Sequence, residues 1–198
     1  MVKRLVIFGA SFNPPANHHI IIARRLIEEF DKVIIIPCGI RSDKPSTTAA
    51  SPPHRKEMVK LAFSNIQNVE IDHYDLDNDT FTPTWMLDEK YKDKFPEYEI
   101  WHMTGGDLIL MGRNGNSEIQ RLWNKGERVW KNLNWAVIDH PDYPIDPRDL
   151  PPKNCLIKMD AFFGRSTLIR RRAARNESIS DLVPSELEKY IKKNNLYK

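Results

Sequence analysis

Three short segments of this sequence carry the residue types that bind phosphorylated ligands. The first is Gly9–His19, which joins small residues and prolines to a histidine directly after the apolar run Leu5–Phe8. The second, Gly164–Arg170, sets a serine and a threonine between two arginines, and the third is Gly105–Asp107. Glycine permits close backbone approach, the N–H groups that begin a helix bind anions, and histidine and arginine donate hydrogen bonds to phosphoryl oxygens. The first segment therefore predicts a phosphate-binding unit.

The elements that must hold these segments alternate as they do in α/β proteins. Leu5–Phe8 is typical of a buried strand, the spacing of Ala23, Leu26 and Ile27 predicts a helix, and the β-branched run Lys32–Pro37 predicts a central parallel strand. We predict further strands at Val69–Asp72, Tyr98–Met103, Asn134–Ile138 and Cys155–Met159, and helices from Pro52, over Thr82–Lys92, after Gly164 and from Pro184. This order favours a doubly wound parallel sheet, in which ligands bind at the carboxyl ends of the strands.

Three stretches lack a regular period. Cys38–Pro53 and His140–Pro152 are rich in proline and in small or polar residues, so they predict loops, the second of them on the surface. Asp107–Met111 predicts the start of a helix, but the glycines and asparagines over 112–116 predict an irregular region there. A loop as long as Cys38–Pro53 often carries function.

Composition limits the class of protein. With 198 residues, 40% of them hydrophobic, the chain can bury one sizeable core, so we predict one domain over 1–198. A net charge of +3 gives no argument for nucleic acid or a membrane surface. Cys38 and Cys155 are too few for a disulfide framework and lack metal-ligand spacing, and no apolar run has the length of a membrane span or of a secretory signal. We expect a cytoplasmic protein that binds neither nucleic acid nor membrane.

The first segment resembles the leading motif of the nucleotidyltransferase superfamily, which reads G-x-(S/T)-F-x-P-x-H-x-G-H. The residues that match this motif are Gly9, Ser11, Phe12, Pro14 and His19. Ala16 replaces its first histidine and His18 replaces its glycine. The second segment resembles the superfamily's I-S-S-T-x-x-R motif at Ser166, Thr167 and Arg170, and the third matches its G-x-D at Gly105 and Asp107.

This resemblance implies a Rossmann-like domain in which residues 160–198 form a helical part that carries the second motif. It implies that ATP binds to Gly9, Ser11, Phe12, His19, Gly105, Asp107, Ser166, Thr167 and Arg170. His19 and Arg170 are the implied catalytic residues. The His19 ring and the Ser11 and Phe12 N–H groups stabilise charge on the phosphoryl oxygens, and Arg170 neutralises it as pyrophosphate leaves. From the residues alone, helix capping by Ser166 and Thr167 and a solvated basic face for Arg170 are the alternatives.

Within the superfamily, the chain most resembles the nicotinamide and nicotinate mononucleotide adenylyltransferases. Lys44 and Arg55 match the loop after the second strand and the start of the second helix, and Thr82 follows Phe81 as in an aromatic–threonine pair near the pyridine ring. Trp123 stands where the family commonly stacks a tryptophan on that ring, with Trp130 as the competing candidate. The resemblance thus assigns Lys44, Arg55, Thr82 and Trp123 to the mononucleotide.

The implied reaction is adenylyl transfer from ATP to the 5′-phosphate of a pyridine mononucleotide, which needs positioning and electrostatic stabilisation but no protein nucleophile. The implied cofactor is Mg²⁺ that arrives with ATP. Ala16 leaves a nucleotide-binding paralogue without catalysis as an alternative, and transfer to another phosphorylated acceptor is a second one. The sequence does not decide whether the pyridine ring of the substrate carries an amide or an acid. It also leaves the oligomeric state open, and a homo-oligomer is one option.

Overall fold

The computed structural model describes residues 2–141, 144–160 and 165–198. Its described residues form six strands, β1 (Lys3–Ala10), β2 (Lys32–Pro37), β3 (Val69–Ile71), β4 (Tyr98–Gly105), β5 (Asn134–Asp139) and β6 (Asn154–Lys158). The helices among them are α1 (Asn17–Glu29), α2 (Pro52–Phe63), α3 (Tyr74–Asp77), α4 (Thr84–Lys94), α5 (Glu118–Leu122), α6 (Gly126–Asn132), α7 (Ser166–Ala174) and α8 (Ser185–Lys193). Short 3₁₀ turns lie at Pro45–Thr47, Gly106–Leu108, Gly112–Asn114 and Pro147–Asp149.

The strands follow the order β3-β2-β1-β4-β5-β6. Pairing is parallel between β1 and β4, between β4 and β5 and between β5 and β6. The chain winds outward from β1 and then returns to β4 on the other side of β1, so the strand order reverses between these two strands. This is the order of the doubly wound α/β fold, and the predicted fold class is confirmed.

The chain divides into two compact units, each made of three chain segments. The sheet unit comprises residues 1–8, 25–33 and 82–161, and the turn unit comprises residues 9–24, 34–81 and 162–198. The prediction of one domain over 1–198, with 160–198 as its helical part, stays a prediction; in the described part of 160–198 the helices are α7 and α8.

Each unit has its own apolar core. The sheet unit buries residues of the 109–137 region around Trp135, and these are Ile109, Ile119, Val129, Trp130, Leu133, Trp135 and Val137. The turn unit packs α2, α7 and α8 together through Ala16, Ala50, Met58, Ile169, Ala173, Ile179, Leu182, Val183, Leu187 and Ile191. The second cluster matters for the site because it includes Ala16 from the first motif.

Two predictions, one about a loop and one about a helix, need correction. His140–Pro152 is predicted as a surface loop, yet His140 and Asp149 are buried, and Asp149 accepts hydrogen bonds from the N–H groups of Met111 and Arg113 at 3.1 and 3.2 Å. A carboxylate that satisfies two backbone donors is stable in a buried position. The predicted helix start at Asp107–Met111 is only a 3₁₀ turn over Gly106–Leu108.

None of the helices that the described residues form has both the length and the apolar character of a membrane span.

Candidate active site

The first motif forms a buried turn between β1 and α1. Phe12 has a φ of +43°, in the left-handed region that side chains other than glycine rarely adopt, and its ring is fully buried against Phe63. Asn13 and Ala16 are also fully buried. Because the core holds these side chains, the turn keeps a backbone conformation that would be unfavourable in isolation.

His19 lies in the first turn of α1 and accepts a hydrogen bond at Nδ1 from the backbone N–H of Ala16, at 3.0 Å. An acceptor role at Nδ1 assigns the ring proton to Nε2 in the neutral ring. The side chain is half-buried, with its ring centroid 5.0 Å from that of Phe12 and 3.8 Å from that of His18. His19 therefore has a fixed tautomer and a fixed ring orientation.

Burial lowers the pKa of His19 well below its ordinary value, and the neighbouring charges of His18 and Lys44 lower it further. Desolvation disfavours the charged ring, and a nearby positive charge has the same effect. At neutral pH His19 is therefore an uncharged ring that donates through Nε2–H. Such a group stabilises charge that develops on a phosphoryl oxygen without acting as a nucleophile.

Lys44, predicted to bind the mononucleotide, is exposed in the loop that precedes α2. Thr47 holds this loop in shape, because its hydroxyl donates to the Lys44 carbonyl at 2.8 Å and accepts from the Arg41 N–H at 3.0 Å. The charge of Lys44 in this loop is one of the causes that lower the pKa of His19.

The second motif contacts the first within the turn unit. Ser166 donates from Oγ to the Pro14 carbonyl at 2.9 Å, and Arg170 donates from Nη1 to the Asn13 carbonyl at 2.7 Å. The second Arg170 nitrogen donates to Thr167 Oγ1 at 3.1 Å. The N-cap of α7 is Arg165, which makes no side-chain capping bond, so the alternative of capping by Ser166 or Thr167 is not what the structure shows. Gly164, part of the predicted motif, lies outside the described residues.

Arg55 differs from its predicted role. Its side chain is fully buried, and its guanidinium donates to the carbonyls of Ser11 and Cys38, both at 2.5 Å, and to that of Thr47 at 3.3 Å. These carbonyls belong to the first motif, to the residue that follows β2 and to the loop before α2. Both terminal nitrogens, Nη1 and Nη2, donate to backbone carbonyls, so we propose a positioning role in place of the direct contact with mononucleotide that the resemblance implies.

Gly9, which follows the buried part of β1, is exposed, and a Cβ built there meets nothing closer than the Ile36 carbonyl at 4.0 Å. In the sheet unit, Gly105 ends β4, and a Cβ there would lie 2.4 Å from Oδ1 of the exposed Asp107. The Asp107 carboxylate therefore folds back over Gly105. Absence of a side chain at residue 105 is what allows this position.

The two candidate tryptophans, which both lie in the sheet unit, differ in burial. Trp130 is only 5% exposed and belongs to the core, whereas Trp123 is half-buried and packs edge-on against Trp135 with ring centroids 6.0 Å apart. Trp123 is thus the tryptophan with surface left for stacking. Thr82 is also half-buried and lies two residues before α4.

Trp85 was not anticipated from the sequence. It donates from Nε1 to Asn124 Oδ1 at 2.9 Å, which links the first turn of α4 to the residue after Trp123. The Lys125 ammonium lies 3.2 Å from the Trp85 ring centroid. The structure thus connects the segments that carry the predicted Thr82 and Trp123.

Two further residues, Asn13 and Tyr197, also escaped sequence reasoning. The Tyr197 hydroxyl donates to Asn13 Oδ1 at 2.6 Å across 184 positions of sequence. An asparagine between aromatic and proline residues reads simply as a turn residue. No local pattern at either position indicates the partner.

Across residues 2–141, 144–160 and 165–198, no group of three or more histidine, cysteine, aspartate or glutamate side chains is arranged to hold a metal ion. The described residues thus do not fit a resident metal with a protein ligand set.

The parallel sheet of order 3-2-1-4-5-6, together with a buried turn that the second motif contacts, is typical of nucleotidyltransferases. A family model described as cytidylyltransferase-like matches residues 7–173. The chain belongs to that family.

Proteins that are similar over nearly the full length of this chain show which members of the family it resembles most. The chain is 24% identical over 99% of both chains to a probable nicotinate-nucleotide adenylyltransferase of Bacillus licheniformis. It is 27% identical to one from Methylacidiphilum infernorum, with 98% of this chain and 92% of that protein covered. The fold is similar to that of Plasmodium falciparum nicotinic acid mononucleotide adenylyltransferase complexed with NaAD, with a TM-score of 0.78, 23% identity and coverage of 98% and 97%. The predicted resemblance to mononucleotide adenylyltransferases is confirmed.

Proposed function

We propose that this chain is an enzyme that transfers the adenylyl group of ATP to nicotinate mononucleotide, giving nicotinate adenine dinucleotide and pyrophosphate. The hydrogen bonds from Ser166 to Pro14 and from Arg170 to Asn13 carry this proposal, because they assemble the two phosphate-binding motifs into one arrangement. The relatives named nicotinate-nucleotide adenylyltransferases support the choice of acceptor, and they favour the acid over the amide.

In the proposed reaction, an oxygen of the mononucleotide 5′-phosphate attacks the α-phosphorus of ATP. A new P–O bond forms there as the bond from the α-phosphorus to the bridging oxygen breaks, and pyrophosphate leaves with that electron pair. The Nε2–H of His19 donates to an oxygen that gains negative charge, and the guanidinium of Arg170 neutralises charge on the departing pyrophosphate. The hydrogen bond between His19 and the Ala16 N–H and that between Arg170 and the Asn13 carbonyl support this proposal, because groups that are already oriented need little reorganisation.

The remaining predicted contacts stay proposals. We assign the adenosine and phosphates to Gly9, Ser11, Phe12, Gly105, Asp107, Ser166 and Thr167, and the mononucleotide to Lys44, Thr82 and Trp123. Lys44 is an exposed cation suited to an anionic acceptor, and Trp123 offers a half-exposed aromatic face. Asp107 offers a carboxylate that can accept hydrogen bonds from ribose hydroxyls.

Mg²⁺ would bind together with ATP, because the phosphate oxygens of ATP are the hard ligands that this ion prefers. Its use rests on the family resemblance. A cytoplasmic location stays a prediction from the sequence, and a homo-oligomer stays one option for the assembly.

The experiment that tests the function measures pyrophosphate release from ATP and Mg²⁺ with nicotinate mononucleotide, nicotinamide mononucleotide, phosphopantetheine or no acceptor. We expect the highest kcat/KM with nicotinate mononucleotide. Preference for phosphopantetheine would assign the chain to another acceptor, and ATP binding without pyrophosphate release from any acceptor would identify a non-catalytic paralogue.

A further inference from the structure

The C-terminal residues of the chain contact the buried turn of the first motif. Tyr197 is half-buried, and its hydroxyl donates to Asn13 Oδ1 at 2.6 Å and lies 3.5 Å from the Met58 sulfur. Burial raises the pKa of Tyr197, so the hydroxyl keeps its proton and its donor role over the whole working pH range. The Tyr197 hydroxyl therefore remains a hydrogen-bond donor to the turn at every working pH.

Asn13 joins three parts of the turn unit while it is fully buried. Its Nδ2 donates to the Ser46 carbonyl at 2.8 Å, its Oδ1 accepts from Tyr197, and its backbone carbonyl accepts from Arg170 at 2.7 Å. A carbonyl cannot donate, so the amide nitrogen must face Ser46 and the amide oxygen must face Tyr197. The orientation of the Asn13 side chain is thus fully specified, and only a donor satisfies it on the Tyr197 side.

Arg170 depends on the same residue. One of its terminal nitrogens is held by the Asn13 carbonyl and the other by Thr167 Oγ1 at 3.1 Å. The backbone of Asn13 is therefore the support on which this guanidinium rests. A buried amide oxygen that loses its donor is costly, and the residue that carries it tends to shift toward another partner.

We propose that Tyr197 is a positioning residue for adenylyl transfer, acting through Asn13 to hold the Arg170 guanidinium in the geometry that the departing pyrophosphate requires. The inference rests on the proposed function. It assigns a role to a hydroxyl far from the motifs in sequence, and that role concerns the rate of transfer rather than the affinity for either substrate.

The test compares Tyr197→Phe with Tyr190→Phe, each of which removes one hydroxyl and keeps the ring. Tyr190 is the matched control, because its hydroxyl bonds to His54 Nδ1 at 2.9 Å in the same unit and not to the turn. We expect Tyr197→Phe to lower kcat for nicotinate adenine dinucleotide formation about tenfold, with KM for ATP changed less than twofold. Tyr190→Phe should stay within twofold of wild type in both constants.

A double-mutant cycle with Arg170→Met separates positioning from general stability. If Tyr197 acts through Arg170, adding Tyr197→Phe to Arg170→Met should lower kcat less than twofold further. Multiplicative losses, or equal effects of Tyr197→Phe and Tyr190→Phe, would overturn the inference. Asn13→Ala removes the other partner of the same hydrogen bond and replaces Tyr197→Phe if that variant does not fold. A lowered kcat with KM for ATP nearly unchanged would support the positioning role, and an unchanged kcat would overturn it.

The outcomes also separate this inference from the function on which it rests. A wild-type chain that forms no dinucleotide with any acceptor overturns both. A wild-type chain that is active, with Tyr197→Phe equally active, overturns the positioning role alone.

Discussion

The backbone N–H of Ala16 donates to Nδ1 of His19 at 3.0 Å. This contact needs no side chain at residue 16, so the alanine that replaces a histidine of the superfamily motif still fixes the tautomer of the second ring. What the replacement removes is one side-chain donor near the proposed phosphate site. The remaining His19 ring is oriented and uncharged, with its proton on Nε2, and in that state it can donate a hydrogen bond to a phosphoryl oxygen.

Restoring histidine at residue 16 should not improve the enzyme. Ala16 is fully buried in the cluster that contains Met58, Ile169 and Leu182, so a larger side chain would overpack it. We expect Ala16→His to lower the free energy of unfolding by roughly 1–3 kcal/mol in urea titrations, without a gain in kcat. An Ala16→His variant as stable as wild type and at least tenfold faster would show instead that the turn has room for a second ring.

The lowered pKa of His19 predicts how stability depends on pH. The unfolded chain binds a proton at residue 19 below about pH 6.5, its ordinary value, while the folded chain resists protonation until lower pH. The unfolded state therefore holds more protons in that window, and stability falls as the pH decreases through it. His73 has a lowered pKa for the same main reason and adds to the wild-type slope.

The share due to His19 is measured by urea unfolding of wild type and His19→Gln at pH 8 and pH 5.5. We expect wild type to lose more free energy of unfolding than the variant between these pH values. Equal losses in the two proteins would mean that His19 titrates in the folded chain as it does in the unfolded one.

Removal of the Arg55 guanidinium should destabilise the turn unit. Arg55→Met leaves the buried carbonyls of Ser11, Cys38 and Thr47 without this donor, and each buried acceptor left unpaired costs about 1–3 kcal/mol. We expect a loss of roughly 3–5 kcal/mol in the free energy of unfolding. Arg24→Met, at an exposed position of α1, is the control and should change stability by less than about 0.5 kcal/mol. A loss in Arg55→Met no larger than in Arg24→Met would contradict the positioning role.

Much of the fold was predictable because β1, β2 and β5 contain continuous apolar runs. Lys32–Pro37 and Asn134–Asp139 are buried along most of their length, and such runs identify central parallel strands without tertiary information. The secondary structure after Asp107 was harder to predict from the sequence. Ser117 and Gln120 form a capping box that begins α5, a signal present in the sequence but obscured by the surrounding glycines and asparagines. Gly126 begins α6 where a Cβ would lie 2.3 Å from the Ile119 carbonyl, a constraint that only the folded chain reveals.

The candidate site was predictable where local motifs carry it. The resemblance to the superfamily motifs singled out His19, Ser166 and Arg170, and the structure brings Ser166 and Arg170 to the turn that precedes His19. Arg55 matched a motif, but its burial among backbone carbonyls depends on three segments that are distant in sequence. Asn13 and Tyr197 carry no local signal, because their contact exists only after the C-terminal residues pack on the turn.

The most direct test of the account is the rate at which wild type and His19→Ala form nicotinate adenine dinucleotide from ATP and nicotinate mononucleotide. We predict that wild type forms the dinucleotide with one pyrophosphate per product, and that His19→Ala lowers kcat roughly 10²- to 10³-fold while it stays folded. Turnover of His19→Ala at the wild-type rate would contradict the central claim that the His19 ring stabilises the transferring phosphoryl group.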